Sequence, residues 1–213
     1  MLLAISLLIA AGCTSKGETS TSSAGADNLV TAATLPKTLG WPAAIVDVDG
    51  NVFQPNEQPK LEAVVMVFVL QDCPIANSYH PKLNELAEKF ADHGVRMFVV
   101  ETDPQIDAAA ARKHRDEFAM KPTVVVDTDH RWVKFTGATK TPEAAVFLPN
   151  GRLVYRGRID DRYAGFGKKR TEATVHDLKD TLEAVLSGQP APNPIVDAVG
   201  CYIPESPTVA KEK

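Results

Sequence analysis

Ala63-Val-Val-Met-Val-Phe-Val-Leu-Gln-Asp-Cys-Pro-Ile-Ala-Asn77 is the stretch that decides the fold. Its opening, Ala63 to Leu70, is apolar without a break and rich in β-branched Val. A strand with one wet face alternates apolar and polar residues. A run that never alternates reads as a strand buried on both faces, in a parallel or mixed sheet covered by helices. After Gln71-Asp72 the period changes. From Pro81 to His93, Leu83, Leu86, Ala87 and Phe90 fall at helical spacing, and Gly94 closes the segment. Cys73 therefore stands where a strand hands over to a helix. The first backbone N–H groups of a helix have no internal partner and carry the positive end of the dipole, so a thiol placed there is drawn toward thiolate. Pro74 suits the first helical turn because no N–H is missed there.

Further elements follow on both sides. Upstream, Trp41 to Phe53 reads as a small hairpin turned by Asp49-Gly50. Downstream, Val95 to Val100 and Thr123 to Val126 are buried strands. Asp103-Pro104 looks like a cap and first-turn proline for a helix reaching about Ala119. His130 to Phe135 makes a short helix. Ala144–Leu148 and Leu153–Arg156 are strands joined by Pro149-Asn150-Gly151. Thr174-Val-His-Asp177 has the form of a capping box. It precedes a helix with Val175, Leu178, Leu182, Val185 and Leu186 on one face, stopped by Gly188. Residues 189–213 are Pro-rich with no periodic pattern. The expected architecture is a three-layer α/β/α sandwich around a central mixed sheet.

The chain has 213 residues, 44% of them hydrophobic, so wholesale disorder is excluded. The net charge of −4 leaves no basic footprint, so no nucleic-acid partner is expected. Three cysteines are too few for a disulfide-stapled scaffold or a structural zinc site. His80, His93, His114, His130 and His176 show no ligand spacing. Neither a metal nor another cofactor is expected.

The amino terminus reads as an address. Met1 to Gly12 is an uncharged apolar run too short to span a bilayer, with the length of a signal-peptide core. Ala10-Ala11-Gly12-Cys13 resembles a bacterial lipobox, which implies lipidation at Cys13 and attachment to a membrane facing the periplasm or exterior. The alternatives are a plain secretory signal or a chance apolar start. Residues 14–34, beginning with a Ser/Thr/Gly-rich stretch, read as a flexible tether to a domain over 35–188. Outside the cytoplasm, the remaining Cys73 and Cys201 can form a disulfide.

Phe68-Val-Leu-Gln-Asp-Cys-Pro-Ile-Ala76 resembles the thioredoxin active-site stretch, Thr141-Pro142 its cis-proline loop, and Phe147 to Gly157 its closing hairpin. With Asp72 to Asn77, Arg156 to Tyr163 and Gly200-Cys201, the chain resembles the redoxin-type proteins of the alkyl hydroperoxide reductase and thiol-specific antioxidant superfamily. That resemblance implies a nucleophilic Cys73, with Asp72, Pro74, Thr141, Pro142, Arg158 and Asp160 around the substrate. It also implies that the Thr141 backbone pairs with an extended substrate strand.

The departures from the family pattern matter as much. Thioredoxin's second cysteine is replaced by Ala76, and the Thr that a peroxiredoxin places three residues before its cysteine is Leu70. Cys201 is the expected resolving thiol; alternatively it is a small apolar tail residue, or pairs between chains. The implied activity is thiol–disulfide exchange on a protein or small-molecule thiol, disulfide or peroxide. Peroxide reduction, or a non-catalytic binding module, stands as the alternative. The charge run Arg156 to Arg162 reads either as a surface ion-pair network or as a wall beside the cysteine.

Overall fold

The computed structural model describes residues 34–38 and 40–206. Cys13 and its tether lie outside the described residues. The first elements are β1 (Ile45–Val46) and β2 (Val52–Phe53), paired antiparallel as the expected hairpin. Gly50 turns it at φ +85°, and the Asp47 carboxylate accepts the N–H groups of Asp49 and Asn51. Next come β3 (Ala63–Val69), α1 (Pro74–Asn77), α2 (His80–Ala91), β4 (Val95–Glu101) and α3 (Ala108–Glu117). They are followed by β5 (Thr123–Val126), α4 (Arg131–Thr136), β6 (Lys140–Thr141), β7 (Glu143–Phe147) and β8 (Leu153–Gly157). The remaining elements are β9 (Tyr163–Gly165), β10 (Lys168–Lys169), α5 (Asp177–Leu186), β11 (Ile195–Val196) and β12 (Cys201–Tyr202).

The main sheet runs β11-β8-β7-β3-β4-β5. Strands β3, β4 and β5 are parallel, while β7 is antiparallel to both β3 and β8. Every residue of β3 is buried, as its unbroken apolar run requires. Ala63, Val65, Val67 and Val69 pack with Leu83, Leu86 and Phe90 of α2 and Leu178 and Leu182 of α5. Val64, Met66 and Phe68 face the opposite layer, with Trp132 of α4, Phe98 and Phe147. Burying a side chain of this size contributes roughly 1.5–3 kcal/mol. A net ladder hydrogen bond contributes about 1 kcal/mol. Burial therefore decides that this run is the central strand, and helices cover both sheet faces as expected.

Two local expectations are corrected. Asp103-Pro104 does not open a helix: the Asp103 carboxylate accepts the Gln105 N–H and its carbonyl the Ile106 N–H, which closes a turn. Asp107 is the true cap, accepting the Ala110 N–H at 2.7 Å. Thr174 caps nothing, because its hydroxyl and N–H both go to the Asp161 carboxylate, and α5 begins at Asp177 without a side-chain cap. The Pro-rich region after Gly188 carries two short strands. β11 adds a parallel edge strand to β8, and β12 pairs antiparallel with β6.

His80, at the start of α2, is 1% exposed, and neither ring nitrogen has a hydrogen-bond partner among the described residues. It packs on Phe118 and His114, at centroid distances of 5.1 and 5.4 Å. Burial first, then the charge of His114, push its pKa down to about 4. An unfolded His titrates near 6.5. Below that pH the unfolded chain takes up a proton that the native chain resists, so stability falls as pH drops from about 6.5 to about 4. The loss reaches at most about 3 kcal/mol. His80→Phe keeps an aromatic ring and removes the titration. Denaturant unfolding at pH 7 and 4.5 should show a smaller acid loss in that variant; an unchanged loss would place the acid sensitivity elsewhere.

Candidate active site

The abrupt end of β3 places Cys73 at the N-cap of α1, with extended backbone angles of φ −89° and ψ 103°. The thiol is 1% exposed. Its Sγ accepts the Ala76 N–H at 3.4 Å, and its S–H is directed at the Thr141 carbonyl at 3.2 Å. The Thr141–Pro142 peptide bond is cis, as the resemblance implied, and it brings the end of β6 against the sulfur. The edge expected to receive a substrate strand is occupied by the chain itself. On β12, Cys201 stands opposite Thr141 and Tyr202 opposite Lys140. The Ile203 N–H donates to the Thr139 carbonyl at 3.1 Å, and Lys140 Nζ donates to the Ala198 carbonyl at 3.0 Å.

Gly200 explains how the tail approaches so closely. A Cβ at that position would lie 1.8 Å from the Thr141 carbonyl oxygen, so no larger residue fits without displacing the strand. The pairing brings the Cys201 thiol and backbone N–H beside Cys73. Burial opposes ionisation of Cys73. The Cys201 thiol and the N–H groups of Ala76 and Cys201 outweigh it, and its pKa falls below the ordinary thiol value. Cys201 moves the other way. Burial, and then Cys73 beside it, push its pKa up to about 11. Of the two thiols, Cys73 is therefore the one that ionises first. Both cysteines are free in this structure.

Among the other expected site residues, Asp72 and Pro74 flank the thiol and are exposed. Arg158 and Asp160 do not reach the sulfur. Arg158 Nε bonds Asp177 at 2.7 Å. Asp160, 5% exposed, accepts the Tyr79 hydroxyl at 2.6 Å and the Arg162 N–H at 3.0 Å. Tyr163 pairs its hydroxyl with Ser78 at 2.9 Å. The run Arg156 to Tyr163 is thus neither a loose surface network nor a wall at the thiol. Asp160 and Tyr163 brace the junction of α1 and α2 from outside, while Arg156 and Arg158 pair with Glu143 and Asp177.

Other supporting residues gave no sequence signal. Glu143 on β7 accepts the N–H groups of Thr139 and Lys140 and fixes the approach to the cis bond. Beneath the helix, Glu101 Oε1 lies 2.5 Å from His114 Nδ1, and His114 Nε2 lies 3.1 Å from Asn77 Oδ1. The Asn77 amide then donates to the Gln71 carbonyl at 2.6 Å, in the loop that carries Cys73. No spacing rule links Glu101, His114 and Asn77; only the parallel β3–α2–β4–α3 packing does. Among the described residues, no group of three or more His, Cys, Asp or Glu could hold a metal ion.

A mixed sheet, a cysteine at a strand-to-helix junction and a facing cis-proline define a thioredoxin-like redox protein. The chain belongs to the Redoxin family, whose profile matches residues 27–173. Among solved structures, an uncharacterized conserved protein from Geobacillus kaustophilus is 24% identical, with a TM-score of 0.66 over 80% of this chain and 92% of that one. A hypothetical protein from Sinorhizobium meliloti is also 24% identical, with a TM-score of 0.67 over 80% of this chain and 94% of that one. At this identity the likeness is one of fold. No curated protein matches the chain.

Two outcomes follow from the geometry. In a Cys13→Ser background, Cys201→Ala removes the thiol donor but keeps the backbone N–H. The pKa of Cys73, read from thiolate ultraviolet absorbance, should rise by roughly one unit, the equivalent of one hydrogen bond to a charged group. An unchanged value would show that the Cys201 thiol does not stabilise the thiolate. Tyr79→Phe leaves the buried Asp160 short of a donor and should cost about 1–3 kcal/mol in denaturant unfolding, with Cys73 alkylation accelerated as the helix junction loosens. A loss below 0.5 kcal/mol would mean that the brace is not needed.

Proposed function

We propose that this redox protein is a thiol–disulfide oxidoreductase in which Cys73 is the nucleophile and Cys201 the resolving thiol. The observation that carries the reading is the β12–β6 pairing, which sets Cys201 opposite Thr141 and against Cys73. Attack of the Cys73 thiolate on a disulfide R–S–S–R′ gives a Cys73–S–R mixed disulfide and releases R′–S⁻. Cys201, after losing its proton, attacks the Cys73 sulfur, forms the Cys73–Cys201 disulfide and expels R–S⁻. In this way Cys201 replaces the neighbouring second cysteine that the chain lacks at Ala76.

Thr141 and Pro142 shape the edge that holds the resolving strand, Pro74 starts the helix that favours the thiolate, and Asp72 lies on the solvent side of the thiol. Asp160 acts through the brace on α1 and α2, and Arg158 ties the same run to Asp177 of α5. Cys13 anchors the domain by lipid outside the cytoplasm, with residues 14–34 as tether. The apolar start and Ser/Thr-rich stretch support that placement.

A second reading has its own observation. The Thr141 hydroxyl, next to the carbonyl that meets the Cys73 sulfur, is buried without a hydrogen-bond partner among the described residues, while the peroxiredoxin Thr position holds Leu70. Attack on a hydroperoxide ROOH would give Cys73–SOH and RO⁻, and Cys201 would condense with the sulfenic acid, releasing water and forming the same disulfide. The third reading, a passive binding module, is disfavoured because its groove is already filled by β12.

Insulin-disulfide reduction and hydroperoxide consumption, measured for wild type and Cys73→Ser, separate these readings. The lead expects at least a hundredfold loss in the first assay, and a Cys73–Cys201 cross-link in non-reduced peptide maps of oxidised protein. Loss confined to peroxide consumption transfers the assignment to the second reading. Activity in neither assay with wild type leaves the binding module.

A further inference from the structure

The disulfide reading above has Cys73 meet the substrate disulfide but leaves open at which sulfur a dithiol then reduces the Cys73–Cys201 pair. Cys73 is 1% exposed, and its surroundings close on it from several sides: the Thr141 carbonyl, the Ala76 N–H and the β12 backbone. Cys201 belongs to the covering strand and is only partly buried. The next residue, Tyr202, is 74% exposed. An incoming thiol therefore meets Cys201 first. The tail is also held firmly enough to keep that order, by the β12–β6 ladder, the Ile203 N–H on Thr139, the Lys140 bond to Ala198 and the seat of Gly200 on the Thr141 carbonyl.

We propose that a dithiol partner enters at the Cys201 sulfur, so that the tail strand is the exchange arm and Cys73 the buried leaving group. This rests on the disulfide reading and reverses the usual polarity, in which the helix-terminal cysteine forms the external mixed disulfide. The first thiolate of the dithiol attacks Cys201 Sγ. An S–S bond to Cys201 forms, the Cys73–Cys201 bond breaks, and Cys73 leaves as thiolate. The second thiol of the partner gives up its proton and attacks the partner's own first sulfur. The partner departs as a disulfide, and Cys201 leaves as thiolate and takes the released proton. Two electrons pass from the dithiol to the protein disulfide, and atoms balance.

Leaving-group strength favours the same sulfur. A thiol of lower pKa leaves faster. The donors at Cys73 hold it below the ordinary value, whereas Cys201 is raised to about 11. Attack at Cys201 expels the better leaving group, into a pocket already built to receive a thiolate. Attack at Cys73 would require a buried approach and would expel the poorer one.

The test uses the full chain carrying Cys13→Ser, oxidised, with glutathione as the probe thiol. After brief exposure, acid quench and alkylation of any freed thiol with iodoacetamide, peptides are mapped by mass spectrometry. The expected product carries glutathione on Cys201 and the alkyl group on Cys73, in at least tenfold excess over the reverse. Ile203→Pro, which deletes the N–H to Thr139 and loosens the arm, should reduce that excess. Equal adducts, or a majority on Cys73, overturn the assignment of Cys201 as the entry sulfur while the pair itself stands. If oxidised protein yields alkylated Cys73 and Cys201 before glutathione is added, no disulfide formed, and the pairing and this inference fall together.

Discussion

The proposed chemistry depends on a short antiparallel contact, Cys201 against Thr141 with Tyr202 against Lys140. Without it, Cys73 is a lone thiol at a helix start with no second cysteine beside it among the described residues. The contact depends in turn on a residue with no side chain. Gly200 lies so close to the Thr141 carbonyl that the space for a Cβ is already taken by that oxygen. It depends also on the cis peptide before Pro142, which turns β6 so that its carbonyl faces the sulfur. A glycine, a cis-proline and two backbone strands thus convert cysteines far apart in sequence into neighbours of opposite acid strength. Proximity itself separates the two pKa values, because one thiolate opposes a second beside it and accepts a hydrogen bond from its neighbour's remaining proton.

The support for that site comes from buried, directed polar groups rather than from exposed ion pairs. Exposed pairs such as Lys82–Glu85 and Lys179–Glu183 join flexible, solvated side chains, and each contributes less than about 1 kcal/mol. Asp160, Asp161 and Glu143 are nearly enclosed and aim their oxygens at specific donors: the Tyr79 hydroxyl, the Thr174 hydroxyl and N–H, and the Thr139 and Lys140 N–H groups. Leaving any of these groups unpaired costs roughly 1–3 kcal/mol. The dense charge run after β8 is therefore better understood as a set of fixed acceptors that hold the helix junction and the α5 approach. The sequence pattern alone could not separate the two readings, since both produce alternating charges.

What was readable in advance follows the strength of the local signal. The buried strands β3, β4 and β5, the helix α2 and the hairpin at Gly151 carry long apolar runs or strong turn residues, and they stand where those signals put them. The place of Cys73 at a strand-to-helix junction is legible from the change of period, and the cis bond before Pro142 from the resemblance to the thioredoxin loop. The two misplaced helix caps share one cause, competition between nearby groups for the same partner. Asp103 and Asp107 are both good caps, and the helix took the second. Thr174 had the right spacing for a capping box, but the Asp161 carboxylate reached it first. The tail strands were invisible because a two-residue strand has no period and borrows its stability from the edge it joins.

The polar chain under the active-site loop shows the cost of that arrangement most directly. Glu101 is fully buried, and one of its oxygens has no hydrogen-bond partner among the described residues. An apolar residue would be cheaper there, since burying a carboxylate short of a full set of partners is unfavourable. What Glu101 secures is direction. It fixes the His114 ring, the ring fixes the Asn77 side chain, and Asn77 holds the Gln71 carbonyl two residues before the thiol. An apolar core can fill the space beneath a loop but cannot set the angle of one carbonyl within it. Cys73 lies two residues beyond that carbonyl. The buried Glu–His pair therefore supports the loop that carries the thiol even though neither residue touches the sulfur.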